Sequence, residues 1–132
     1  MRVRVLDAIR DAHHSWWITF DSAVGAAGAA WASKASSPEI GREYDVELDV
    51  GVGIDMAVNA MVSESSTLGV RAEGGAIVMN AIVDNVYDDG VVCLRLAVDA
   101  IVLVDAEGEF HVGKILKISL PPDSLSVTPI GS

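Results

Sequence analysis

Apolar and polar residues alternate along much of the chain, and the longest alternating stretch covers residues 90–105. Its even-numbered positions are almost all apolar, whereas its odd-numbered positions admit Arg95, Asp99 and Asp105. A period of two is typical of a strand with one buried face. One straight strand of this length would span roughly 50 Å at about 3.3 Å per residue, which exceeds the diameter, on the order of 35 Å, of a compact domain of this size. We therefore predict a tight turn at residues 97–100 and a central hairpin.

The same alternation predicts strands in most of the remaining chain. They are placed at residues 1–6, 15–20, 44–61, 76–87, 114–120 and 125–127. Within the long stretch at 44–61, Gly51 and Gly53 indicate a bulge or a sharp bend. Residues 88–90, of sequence Asp-Asp-Gly, are a strong hairpin signal. Pro129 marks the last strand as an edge strand, because proline cannot donate a hydrogen bond to a ladder.

Two stretches interrupt the alternation. Residues 21–37 are rich in alanine, glycine and serine. Asp21 is able to cap a helix there, but Gly25 and Gly28 would each cost about 1 kcal/mol relative to alanine in a helix. We therefore expect a short, partly helical or mobile connection at 21–37 and a polar loop at residues 63–75.

The number and spacing of these strands predict the fold class. Seven or eight short strands with a turn every dozen or so residues are typical of an antiparallel sheet that closes into a small barrel or a sandwich. With 132 residues, the chain is expected to form one mostly β domain that buries about two thirds of the surface exposed by its unfolded state. An OB-like Greek-key barrel is the predicted architecture, by analogy of strand number and spacing.

The charge balance narrows the classes of partner. Nineteen acidic and nine basic residues give a net charge of −10, so repulsion opposes binding to nucleic-acid phosphates or to an anionic membrane surface. The chain contains no stretch of about 18 uncharged apolar residues that would predict a membrane-spanning helix. A basic protein is the partner that the charge favours, and a homodimer stays an alternative.

Two further features favour a cytoplasmic protein. Residues 30–32, Ala-Trp-Ala, resemble the cleavage site of a secretory signal, but Asp7, Asp11 and Asp21 precede them, where such signals tolerate acids poorly. Cys93 is the single cysteine and has no partner for an internal disulfide. We predict that it is a core or half-buried apolar residue, which fits a reducing compartment.

Few residues suggest catalysis or metal binding. His13 and His14 are adjacent, so on a strand their side chains would point to opposite faces and could not bind one metal together. Residues 49–55 have the spacing of a calcium-binding repeat, but the pattern occurs once. No serine lies in a G-x-S-x-G context. We therefore predict no enzymatic activity, no metal site and no cofactor.

Acidic residues cluster in one predicted strand region. Residues 39–55 hold a single base, Arg42, and the acids Glu39, Glu43, Asp45, Glu47, Asp49 and Asp55. Strand alternation would place Glu47, Asp49 and Asp55 on one face. Such a cluster is explained by a solvated face that keeps an apolar protein soluble, or by a surface complementary to a basic protein. The predicted partner-binding residues are Glu43, Asp45, Glu47, Asp49 and Asp55.

These observations favour a protein-binding function. In size and charge the chain resembles an immunity protein or antitoxin, which inhibits a basic toxin such as a nuclease by masking its active site. Trp16, Trp17, Trp31 and Tyr44 are candidate aromatic anchors for such an interface, or core residues. The alternatives are a β-barrel that binds a small ligand or an oligonucleotide, and a non-catalytic structural or oligomeric subunit.

Overall fold

Twelve strands and no helix form in residues 1–131, the part of the chain that the computed structural model describes. The strands are β1 (Arg2–Arg10), β2 (Trp16–Ser22), β3 (Gly25–Trp31), β4 (Glu43–Val50), β5 (Ile54–Asp55), β6 (Ala60–Val62), β7 (Gly69–Glu73), β8 (Ala76–Val86), β9 (Val91–Ala97), β10 (Ala100–Glu107), β11 (Ile115–Leu120) and β12 (Leu125–Pro129). The mostly β prediction is therefore confirmed, although the strands are more numerous than the seven or eight expected.

Five of these strands close into a barrel. Around the ring, β1 pairs with β2, β2 with β3, β3 with β12, β12 with β4, and β4 with β1. Every pairing is antiparallel except that between β3 and β12, which is parallel. Pro129 was therefore misleading about the last strand, because β12 lies between two neighbours. It pairs with β4 along its whole length and with β3 through Ser126 and Val127.

The barrel interior is filled by the apolar side chains that alternate along each strand. Its residues are at most 5% exposed and comprise Val3, Val5, Ile18, Phe20, Ala27, Ala29, Trp31, Val46, Leu48, Leu125 and Val127. Burying a large aliphatic or aromatic side chain contributes about 1.5–3 kcal/mol, so this interior is a major source of stability. The same cluster of buried residues continues into the rest of the chain.

The expected partly helical connection at 21–37 was wrong, because residues 25–31 form strand β3. This strand pairs with β2 along its whole length, and pairing overrides the weak strand preference of alanine and glycine. Trp17 lies directly over Gly28 on the outer face, where a Cβ atom would come within 2.8 Å of the indole ring. The glycine that argued against a helix thus provides space for an aromatic side chain of the neighbouring strand.

The segment between β4 and β12 supplies the strands β5 to β11, which lie outside the barrel. We call these strands the second sheet. Its centre is β8, which pairs with β7, β9 and β11. The predicted turn at 97–100 is confirmed, since β9 and β10 form an antiparallel hairpin there. The hairpin predicted at 88–90 joins β8 to β9 and is also confirmed.

Two predictions about this segment were wrong. Residues 44–61 do not form one strand: β4 ends at Val50, and β5 and β6 pair instead with β10 and β11. The glycines at 51 and 53 allow this break. Residues 63–75 are not loop throughout, because Gly69–Glu73 pairs with β8 as strand β7.

An ion pair stabilises the outer face of the second sheet. Asp84 lies at a register shift between β8 and β9, and its carboxylate accepts two hydrogen bonds from Arg95, at 2.9 and 3.2 Å. The hydrogen bonds from the guanidinium hold the pKa of Asp84 below its ordinary value. Burial raises the pKa of the neighbouring Cys93 thiol. Cys93 is 6% exposed, which agrees with the prediction of a core or half-buried residue.

At one backbone contact, the barrel and the second sheet approach too closely for a side chain. Strand β3 of the barrel pairs there with β7 through Gly25 and Val70. Gly25 has φ +126°, and its Cα lies so close to the Val70 carbonyl that no Cβ atom would fit. Next to this contact, the Val70 N–H donates to Val24 O at 2.8 Å.

Candidate functional site

Four of the five predicted partner-binding acids lie together on the outer face of β4. Glu43, Asp45, Glu47 and Asp49 are exposed, while the alternate residues of the strand face inward. Because β4 is a barrel strand between β1 and β12, its backbone holds these carboxylates in a row. We call Glu43, Asp45, Glu47 and Asp49 the acid row.

Arginines of the neighbouring strand pair with the first half of the acid row. Arg2 lies 3.3 Å from Asp45 and 3.9 Å from Glu43, and Arg4 lies 3.6 Å from Glu43. These contacts arise because the register of β1 and β4 sets residues 2–4 opposite residues 43–45. This local compensation of charge depends on strand register and was not predicted from the sequence.

The second half of the acid row is uncompensated. Glu47 and Asp49 lie opposite Thr128 and Ser126 of β12, which are uncharged. Within residues 1–131, no lysine, arginine or histidine comes within 4.0 Å of either carboxylate. Glu47 and Asp49 are therefore the acids of β4 that remain available to a partner.

Asp55 does not belong to the acid row. It lies on β5, where it pairs with Glu107 of β10, and it is half-buried. Its carboxylate accepts a hydrogen bond from the Ala57 N–H at 2.8 Å, which stabilises the turn after β5. The prediction that Asp55 shares a face with Glu47 and Asp49 was wrong, because the strand that was to carry all three ends at Val50.

The chain divides its charge between two regions. Residues 1–42 contain five basic and four acidic side chains, whereas the remaining residues contain four basic and fifteen acidic ones. The first region carries a net charge of +1 and the second −11. The acid row thus lies at the start of the strongly acidic region.

The aromatic residues divide between core and surface. Trp31 is buried and meets the Tyr44 ring edge to face, with 4.9 Å between ring centroids. Arg42 lies 4.9 Å from the centre of the Tyr44 ring. Trp16 and Trp17 are half-buried on β2, with Arg10 lying 5.7 Å from the Trp16 ring. None of these aromatic side chains lies next to Glu47 or Asp49 on β4 or on its paired strands.

Sequence reasoning missed two exposed aliphatic residues beside the acid row. Ile101 and Leu103 of β10 are 45% and 61% exposed. Glu47 and Ile101 line one small cavity, which joins β4 to β10. The sequence did contain a signal, because residues 101 and 103 are apolar but occupy the same alternating positions as Asp99 and Asp105.

The adjacent histidines do not lie on a strand. His13 and His14 are exposed in the loop between β1 and β2, and His14 has φ +64°. The Asp11 carboxylate accepts hydrogen bonds from the Ser15 and His13 N–H groups, and these bonds lower its pKa. Residues 1–131 contain no group of three metal-ligating side chains.

The described part of the chain also has no helix that could cross a membrane.

Comparisons of the chain with models of protein families, with curated proteins and with solved structures find no match. The geometry and charge of the chain itself are therefore the basis for a functional proposal.

Proposed function

We propose that this protein is a cytoplasmic, non-catalytic binding module that inhibits a basic protein by covering its functional surface, as an immunity protein or antitoxin masks a nuclease-like toxin. The observation that carries the proposal is the pair Glu47 and Asp49, exposed on a barrel strand without a basic neighbour in the described residues. The acid row supplies the negative half of a complementary surface, and the partner supplies lysine or arginine.

The position of the pair on the barrel suits this role. Complementary charges raise the association rate and exclude partners of the wrong sign. The paired strand fixes the backbone before binding, so only side-chain rotamers remain to be ordered, which lowers the entropic cost of association. Arg2 and Arg4 keep Glu43 and Asp45 engaged within the chain, so the partner is expected to contact Glu47 and Asp49 first.

Reversing the charge of Glu47 and Asp49 is the test of this proposal. We expect the variant Glu47→Lys/Asp49→Lys to bind its partner about ten- to a hundredfold more weakly, because attractive pairs become repulsive at close range. Most of the loss should appear in the association rate and should fade as salt rises, since both side chains are exposed. The measurement is capture of basic proteins from the source cells, followed by calorimetry and association kinetics on the captured protein.

A matched control separates local contacts from net charge. Glu64 and Asp123 are exposed and form no ion pair with any residue from 1 to 131. The variant Glu64→Lys/Asp123→Lys changes the net charge equally but leaves the acid row intact, and it should bind nearly as well as the wild type. Equal losses in both variants, or a partner indifferent to both, would contradict the proposal.

A second candidate function is supported by the order of the barrel strands. From the ring β1-β2-β3-β12-β4, in which β3 and β12 are parallel, we infer an OB-like Greek-key barrel. Such barrels bind oligonucleotides or oligosaccharides over their second and third strands and adjoining loops. On that face, Trp17 is half-buried over Gly28, and the β1–β2 loop carries His13 and His14. The residues of this face belong to the region whose net charge is +1.

Titration with a single-stranded oligonucleotide distinguishes the two candidates. We expect no micromolar binding at physiological salt, because the overall acid excess opposes the counterion release that drives such binding. Fluorescence anisotropy of a labelled DNA and quenching of tryptophan emission are the measurements. Salt-sensitive micromolar binding that is lost in Trp17→Ala would favour the OB-like ligand-binding function instead.

A further inference from the structure

Strands β4 and β10 lie side by side without pairing. Val46 still exchanges backbone hydrogen bonds with Met1. Beyond Val46, the edge of β4 that faces away from β12 pairs with no strand among residues 1–131, and β10 pairs with β9 on one edge and with β5 only at its end. One cavity of about 210 Å³ joins β4 to the start of β10, and another of about 300 Å³ joins the end of β4 to Leu103 and Asp105. The two strands therefore run in the same direction along a shallow seam, which we call the β4–β10 seam.

The two sides of the seam differ in chemistry. Glu47 and Asp49 lie on the β4 side. On the β10 side, Ile101 and Leu103 are exposed, and Val98 in the preceding turn is 88% exposed. Contact of aliphatic side chains with water is unfavourable, and exposed apolar patches often mark interaction sites. Glu47 and Ile101 line the first cavity from its two sides, and Leu103 lines the second cavity opposite the end of β4.

We propose that the β4–β10 seam binds an extended segment of the basic partner in which basic and aliphatic residues alternate. The inference rests on the proposed function and names the surface and the sequence that carry it. Successive side chains of an extended segment point to opposite sides. A segment lying lengthwise over the seam therefore directs every second side chain to Glu47 and Asp49, and the others to Ile101 and Leu103.

Charge favours this occupant over a second copy of the chain. Asp99 and Asp105 lie at the two ends of the aliphatic side and, like Glu47 and Asp49, have no basic residue within 4.0 Å among residues 1–131. A second copy would bring its own net charge of −10 to this acidic surface. A segment rich in lysine or arginine neutralises the acids while its aliphatic side chains cover Ile101 and Leu103.

Peptides of defined pattern test the inference on the full chain. The probe is a capped octapeptide of alternating lysine and valine. One control has the same composition with the four lysines first, and the other alternates lysine and serine. Binding is followed by shifts of the backbone amide signals in NMR spectra. We expect the alternating lysine–valine peptide to bind roughly tenfold more tightly than either control, because only this peptide satisfies both sides of the seam. Its shifts should lie on β4 and β10.

Threonine variants separate the aliphatic side from the acid row. The variant Ile101→Thr/Leu103→Thr keeps branched, strand-forming side chains. It should bind the lysine–valine peptide only as tightly as the wild type binds the lysine–serine peptide. Its matched control, Val58→Thr/Val112→Thr, alters two residues that are 81% and 64% exposed elsewhere on the surface, and it should bind like the wild type. Circular dichroism spectra of both variants verify that the sheet is retained.

The outcomes distinguish failure of this inference from failure of the proposed function. If the lysine–serine peptide binds as tightly as the lysine–valine peptide, the aliphatic side takes no part, and the inference is wrong while the acid row stands. Shifts outside β4 and β10, or no binding of any peptide, also overturn it, and the charge-reversal experiment with the captured protein then decides the proposed function alone. Sedimentation could instead reveal a dimer that dissociates in the Ile101→Thr/Leu103→Thr variant. That result would show that the seam binds a second copy of the chain and not a basic segment.

Discussion

Replacing Gly25 with alanine should lower the free energy of unfolding by at least about 4 kcal/mol, a loss that single substitutions reach only through a severe structural conflict. The new Cβ atom would overlap the Val70 carbonyl oxygen. Val70 cannot withdraw without giving up its pairing with Gly25 and the hydrogen bond to Val24. The φ of +126° adds strain that glycine alone avoids.

Urea unfolding followed by tryptophan fluorescence measures this loss as a lower midpoint with an unchanged slope. Gly75→Ala is the matched control, because Gly75 also has a positive φ, +78°, but nothing lies within 4 Å of a Cβ atom there. Its cost should be the backbone strain alone, about 1–2 kcal/mol. Similar costs at the two positions would show that the contact between β3 and β7 tolerates displacement.

Replacing Phe20 with alanine should destabilise the protein by about 3–5 kcal/mol, the range measured for removal of a buried aromatic side chain. Phe20 is 0% exposed in the barrel interior. Its neighbours across the two pairings are Val5 and Ala27, and neither side chain is large enough to fill the space left by the ring. A closed ring of paired strands also resists the collapse that would reduce the cavity.

The control for this variant is Thr19→Ala, the preceding residue, whose side chain is exposed on the outer face. Exposed positions of this kind usually change stability by no more than about 0.5 kcal/mol. Both variants are compared by thermal and urea unfolding. If Phe20→Ala costs as little as Thr19→Ala, the barrel interior is not the packed core inferred from the burial of its residues.

The sequence was most informative where local alternation alone determines structure. The hairpin of β9 and β10 follows from period-two burial and from the excessive length of a single strand, and no distant contact is needed to predict it. Alternation also placed Glu47 and Asp49 on one face, and the structure extends that face to Glu43 and Asp45. The placement of Asp55 on the same face failed because a break in a strand changes the direction of every residue after it.

Long-range pairing accounts for the other differences. Strand β3 consists mainly of alanine and glycine and forms because β2 lies beside it. The ion pairs of Arg2 and Arg4 depend on the register between β1 and β4. The β4–β10 seam exists only because two distant segments meet without pairing. None of these features has a local signal in the sequence strong enough to reveal it. Ile101 and Leu103 differ, because they are apolar residues on the face of the strand that also carries Asp99 and Asp105.

The closing of the barrel by β12 has a consequence for how the protein folds. The strands β1 to β4 are contiguous in sequence, but β12 follows only after residues 51–124. Closing the ring therefore brings together residues that are far apart in the chain, and contacts of this kind slow folding. Until β12 arrives, β3 and β4 expose strand edges that can pair with other chains. We therefore expect the barrel half to close late, after the second sheet has brought β12 near, with aggregation competing during that interval.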